Sequence, residues 1–138
     1  MSRENVEIVR RSLEAFSRKD LETVIEAWAE ESEWRPAMAG AVEGTLYRGR
    51  DGMRRYLEEL FATFAEVNPQ DAEFTDLGDR VLLLYRLTAR GRDSDVVVDQ
   101  PGAIVYDFRD GQIVWAQSYL SWDDARAAAA SPSGSRVR

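Results

Sequence analysis

Apolar positions in the first half of the chain recur at helical spacing. Val6, Val9, Leu13 and Phe16 fall on one face, with Glu4 in the first turn and Arg18-Lys19 at the end. They predict a first helix. Asp20 reads as the N-cap of a short second helix carrying Leu21, Val24, Ile25 and Trp28. The cleanest period belongs to Met53, Tyr56, Leu57, Leu60, Phe61 and Phe64, a third helix opened by Asp51. Between the second and third, Glu33 to Arg35 and Val42 to Tyr47 suit short strands, with Gly40, Gly44 and Gly49 marking turns.

The period then changes to two. Residues 71–77, 80–90, 95–108 and 112–121 are β-branched or aromatic runs, separated by Gly78-Asp79, Gly91 to Asp95 and Asp110-Gly111. Asp110-Gly111 between two alternating runs is a hairpin signal, because both turn positions call for positive φ. Asp123-Asp124 begin a short alanine-rich helix. Helices grouped first and strands grouped last predict an α+β fold, a curved mixed or antiparallel sheet wrapped around N-terminal helices. One domain is expected over residues 1–130, followed by a disordered tail at 131–138 rich in Ser, Pro and Gly.

Composition removes much chemistry. The 138 residues include neither Cys nor His, so disulfides, thiol catalysis, imidazole bases and nearly all zinc and haem sites are excluded. No cofactor and no metal is expected. A formal charge of −7 without a basic stripe argues against nucleic acid or an anionic membrane surface as partner. No apolar run is long enough for a membrane span, and the N-terminus lacks a signal-peptide core, so the reading is a soluble, cytoplasmic protein. Acid–base work would fall to Asp, Glu or Tyr.

Candidate site residues come from strand alternation. Glu33 and Arg35 share one face of the first strand and Trp34 takes the other. Arg86 lies opposite in phase to Tyr85, and Trp115, Gln117 and Tyr119 share a face of the last strand. Asp99, just before Gln100-Pro101, could turn inward at a bulge. As a catalytic set these give Glu33 or Asp99 as base and Tyr119 as hydrogen-bond donor. As ligand-binding residues they give Trp28, Trp34, Arg35, Tyr56, Tyr85, Arg86 and Gln117. The plainer reading makes Glu33 and Arg35 a solvated ion pair and the aromatic residues core. Apolar residues on both faces of the strands predict a homodimer through the sheet.

Four segments occur in a familiar order: Glu30 to Pro36, Tyr47-Arg48-Gly49-Arg50-Asp51-Gly52, Leu77 to Leu82, and Val105 to Val114. Together, over roughly residues 4–130, the chain resembles the SnoaL-like branch of the NTF2-like superfamily. The resemblance implies a cone-shaped barrel with an internal cavity and commonly a homodimer. It points to polyketide cyclases, ketosteroid isomerases and limonene-epoxide hydrolases as relatives. Their catalytic groups do not carry over as written. The isomerase base falls on Arg35, its oxyanion tyrosine on Ser12, the hydrolase Arg-x-Asp on Arg86-Leu87-Thr88, and the last-strand Asp on Ser118 or Ser121. The function expected is binding of a small, largely apolar ligand, with anionic aromatic or polyketide-like molecules included. It is either catalytic, as a cofactor-independent isomerase, cyclase or hydrolase, or a non-catalytic binding or interaction module. A cavity without an inward carboxylate favours the second.

Overall fold

The computed structural model describes residues 2–37 and 46–131. Helices α1 (Ser2–Ser17), α2 (Leu21–Glu26) and α3 (Gly49–Thr63) lie against one face of a six-stranded sheet. Its strands are β1 (Trp28–Arg35), β2 (Tyr47–Arg48), β3 (Phe64–Asp76), β4 (Arg80–Gly91), β5 (Val97–Arg109) and β6 (Gln112–Tyr119), in the order β2-β1-β6-β5-β4-β3. All neighbours are antiparallel except β1 and β6, which run parallel. A last helix, α4 (Trp122–Ala130), returns to the opposite, outer face. This is the expected α+β arrangement, with the sheet curved and open.

The local signals act as their chemistry requires. The Asp20 carboxylate accepts from the Thr23 backbone N–H and caps α2. Asp110 and Gly111 both have positive φ, 55° and 79°, and close the β5–β6 hairpin. Gly49, at φ 68°, starts α3 where a Cβ would lie 2.8 Å from the Glu30 carbonyl oxygen, so no side chain fits.

Two helix ends fall earlier than the apolar period suggests. Trp28 begins β1 instead of extending α2, and Phe64 begins β3 instead of closing α3. In both, an aromatic residue on the helical stripe is buried from a strand. The strand β3 therefore starts well before residue 71, and it carries Pro69 because it lies at the sheet edge, where a missing N–H costs no ladder bond. Of the expected strand at Val42 to Tyr47, only its end falls within the described residues; Gly40, Gly44 and the tail beyond residue 131 lie outside them.

Pro101 does not make the bulge that would have turned Asp99 inward. The β4–β5 register runs unbroken from Arg80↔Asp107 to Arg90↔Val97. Pairing of β5 with β6 begins only at Ala103, so at Pro101 no described strand pairs with that side of β5 and a residue without an N–H is accommodated.

Much of the apolar outer face is covered from within the chain, while Val97 of β5 stays exposed. Leu82, Leu84, Ala103, Val105 and Trp115 pack under Ala125 and Ala129 of α4. Trp122 anchors the start of that helix, its indole N–H donating to the carbonyls of Tyr85 and Gly102 at 3.1 and 3.0 Å. At its end the Arg80 guanidinium donates to the carbonyls of Ala128, Ala129 and Ser131 while gripping both oxygens of Asp107, the nearer at 2.7 Å. No second copy is needed to bury these residues. Beyond α4 the outer face of β4 turns polar, with Arg86, Thr88 and Arg90. No described helix is long and apolar enough to cross a membrane.

Candidate functional site

A cavity of about 100 Å³ lies between the three N-terminal helices and the concave face of the sheet. Strand alternation supplies its walls: Trp28 and Trp34 from β1, Tyr85 and Leu87 from β4, Ile104 and Tyr106 from β5. The apolar stripe of α3 supplies Tyr56, Leu57 and Leu60. The rings meet edge to face. Trp28 and Trp34 lie 5.8 Å apart at 71°, and Trp34 and Tyr56 5.5 Å apart at 72°. Gly102, facing Tyr85 across the β4–β5 ladder, leaves room for that ring; a Cβ there would come within 2.7 Å of it.

The polar groups of the lining are all neutral. Besides three tyrosines they are the Trp28 and Trp34 indoles, Ser12 and Ser118, and no Asp, Glu, Lys or Arg is among the described lining residues. Ser12 and Ser118 stand where the resemblance places an oxyanion tyrosine and a last-strand carboxylate. The Ser118 hydroxyl accepts from the Ala37 N–H at 2.6 Å and so fixes the exit of β1. The Trp34 indole N–H is buried and has no hydrogen-bond partner. It lies beside the Tyr56 hydroxyl, close enough to favour the phenolate slightly but not in hydrogen-bond geometry.

Burial raises the pKa of all three cavity tyrosines. Tyr85 is pushed up to about 12 by desolvation. Tyr56 and Tyr106 rise further, chiefly by desolvation and then by repulsion from neighbouring phenolates. At neutral pH each is a hydroxyl donor and neither an acid nor a base. Because the folded pKa exceeds the ordinary value of 10.0, this contribution to stability is intact below pH 10. It is lost as pH rises through the folded values. Stability is therefore expected to fall above pH 10 by about 1.4 kcal/mol per pH unit for each buried tyrosine. Urea titrations between pH 9 and 12, with phenolate absorbance followed alongside, check this. A flat stability over that window contradicts it.

Of the residues expected at the site, Trp28, Trp34, Tyr56 and Tyr85 line the cavity together. The other six are not among its lining. Glu33 sits on the outer side, about a third exposed, between Arg35 at 4.0 Å and Arg48 at 3.6 Å. Arg35 therefore gives the cavity no charge. Arg86 and Asp99 bind each other at 2.7 Å with both side chains half exposed. Gln117 pairs with Arg35 across the sheet, and Tyr119 packs at the outer cluster under α4. One physical fact explains all six: Trp34, Tyr85, Ile104 and Ser118 point inward, so residues out of phase with them along each strand, Asp99 on β5 included, point outward. Tyr106, which alternation with Ile104 could have signalled, was absent from the expected set.

The described residues hold no cluster of three or more side chains able to ligate a metal. A model of the SnoaL-like domain family matches residues 9–116. The chain is similar in structure to an NTF2-like protein of unknown function from Burkholderia pseudomallei, at a TM-score of 0.77 and 22% identity over 93% of this chain and 98% of that one. It is similar to TerC co-crystallised with polyporic acid, at 0.75 and 17% over 93% and 99%. It also resembles a Catenulispora acidiphila protein of ketosteroid isomerase-like fold in complex with trimethylamine, at 0.73 and 18% over 93% and 95%. No curated protein matches.

Proposed function

The chain belongs to the SnoaL-like domain family, and from that premise we propose that it is a non-catalytic binding module for a small, neutral, apolar molecule of about one ring. The observation that carries this reading is the cavity lining, which among the described residues is aromatic and aliphatic with neutral hydroxyls and holds neither a carboxylate nor a cation. General acid–base catalysis needs a group that changes protonation near the working pH, and the three tyrosines do not. Glu33 and Asp99, the carboxylates considered as bases, are engaged by arginines on the outer side.

Size and charge narrow the ligand. A hydrocarbon cavity of about 150 Å³ takes benzene, and drug-sized ligands need about 300 Å³ or more. At about 100 Å³ this cavity suits a five-membered ring and excludes a steroid or a polycyclic polyketide without rearrangement. An anion would leave water for a site without a compensating cation, which is costly. Solved structures of this fold include complexes with small organic molecules, polyporic acid in TerC and trimethylamine in the Catenulispora protein.

The test is a thermal-shift and calorimetric comparison of methylenecyclopentane with cyclopentanecarboxylate. The neutral ring is expected to raise Tm, by the equivalent of about 2.7 kcal/mol at one hundred times its Kd. The carboxylate is expected to leave Tm unchanged. A preference for the carboxylate that disappears in Arg35→Ala would overturn the reading.

A further inference from the structure

Gly102 is buried inside β5, and nothing in its backbone calls for glycine. Its φ is not positive, unlike that of Gly49, Gly78 and Gly111, and it stands in unbroken register with Tyr85 of β4. A glycine within a strand is destabilising relative to a residue with a side chain, so the position has a use for the empty space. The neighbouring ring identifies that use. A Cβ at Gly102 would lie 2.7, 2.8 and 3.0 Å from Cε2, Cζ and the hydroxyl oxygen of Tyr85, the far end of that side chain. The Tyr85 ring therefore lies down across the β4–β5 ladder, over Gly102, and forms part of the cavity wall. We propose that Gly102 is a specificity-determining position, which lets Tyr85 lie flat on the sheet and so keeps open the space that a small ring fills. This rests on the binding function proposed above and names what sets the size of the ligand.

The surroundings decide what yields when a side chain is placed at residue 102. The backbone is held from the outer face, where the Trp122 indole N–H donates to the carbonyls of both Tyr85 and Gly102. The two strands also pair without a break from Arg80↔Asp107 to Arg90↔Val97. The ring moves, then, and not the strands. The free volume that Tyr85 borders is the cavity itself. Benzene takes a hydrocarbon cavity of about 150 Å³, so a phenol ring lifted into about 100 Å³ leaves no room for a second ring. Gly102 is not among the described lining residues and acts through Tyr85, as a positioning residue.

The test is a double-mutant cycle read by calorimetry with methylenecyclopentane on the full chain, beside a crystal structure of Gly102→Ala. That variant is expected to fold, because the obstacle is the end of a movable side chain. Its Tyr85 ring should stand off residue 102 and occupy the cavity, and methylenecyclopentane should bind at least roughly tenfold more weakly than to the wild type. In a Tyr85→Leu background the same substitution meets no ring and is expected to change affinity less than about twofold. A general loss of stability would not produce that difference between backgrounds. Wild-type affinity in folded Gly102→Ala would overturn the proposal, as would a ring that shifts over β3 and leaves the cavity open. An equal loss in both backgrounds would remove Tyr85 from the argument and overturn it too. A Gly102→Ala chain that does not fold would show that the glycine serves the backbone, with the same result. If the wild type binds no methylenecyclopentane, the binding function falls, and the crystal structure of Gly102→Ala still decides whether Gly102 holds the cavity open.

Discussion

Asp107→Ala is expected to lower the free energy of unfolding by about 3–5 kcal/mol, the effect of leaving one charge of a buried pair alone. Arg80 and Asp107 are 11% and 8% exposed, and the guanidinium contacts both carboxylate oxygens. It also donates to the carbonyls of Ala128, Ala129 and Ser131 at the end of α4, of which that of Ala128 accepts from the Ser131 N–H as well. Loss of the carboxylate strands a cation under α4 and frees the arginine that holds that helix down. The double variant Arg80→Met, Asp107→Leu should be far less harmful than the sum of its parts, since no charge is left unpaired. Urea midpoints measured with the slope checked for constancy decide the matter. A loss under 1 kcal/mol for Asp107→Ala would mean that water reaches Arg80 and the pair is not the clamp described.

Leu57→Ala is the second large effect. Leu57 is 2% exposed and lines the cavity from α3. Removing its branched end costs the transfer energy of the lost atoms plus that of the added void, about 2–5 kcal/mol in total. The position differs from an ordinary core site because the new space joins a cavity already present. The variant is therefore expected to be less stable when empty and to recover part of the loss on binding a ring larger than the wild type admits, benzene being a suitable probe. A Tm that falls by several degrees and rises again with benzene, in a variant whose wild-type parent does not respond, is the expected pair of readings. If benzene raises both equally, Leu57 does not limit the size of the cavity.

Much of the fold was legible because its signals are local. The Asp20 cap, the Asp110-Gly111 turn and the apolar stripe of α3 each act through neighbours a few residues away, and each appears where the sequence puts it, save that α3 starts at Gly49 and Phe64 passes to β3. The site was legible in composition but not in phase. The resemblance implied a cavity, and four of the aromatic residues expected to bind a ligand, on β1, α3 and β4, line one. Yet Arg35 and Trp34 are adjacent, as are Arg86 and Tyr85, and which of each pair faces inward depends on the register of the strand against distant partners. The irregular pairing of β1 with β6 between Trp28 and Glu33 is such a long-range fact. Pro101 misleads for a related reason. A proline breaks a strand only where the ladder needs its N–H, and here the partner strand has already ended.

The parallel pairing of β1 with β6 also bears on the order in which the molecule can be made. The hairpins β3–β4–β5–β6 join strands that follow one another along the chain, and each can close as soon as its second strand exists. The wall carrying Trp28 and Trp34 has that option only on its β2 side, where Trp34 meets Tyr47; its other side has none. Those residues leave the ribosome early and then wait for Ile113 to Gln117, their partners across the sheet, at the far end of the sequence. Pairing across so long a stretch pays its loop-closure entropy before any contact returns it, and it is slow. Closure of the cavity on its β6 side is therefore expected to follow the hairpins, Trp28 and Trp34 lacking their β6 partners until then.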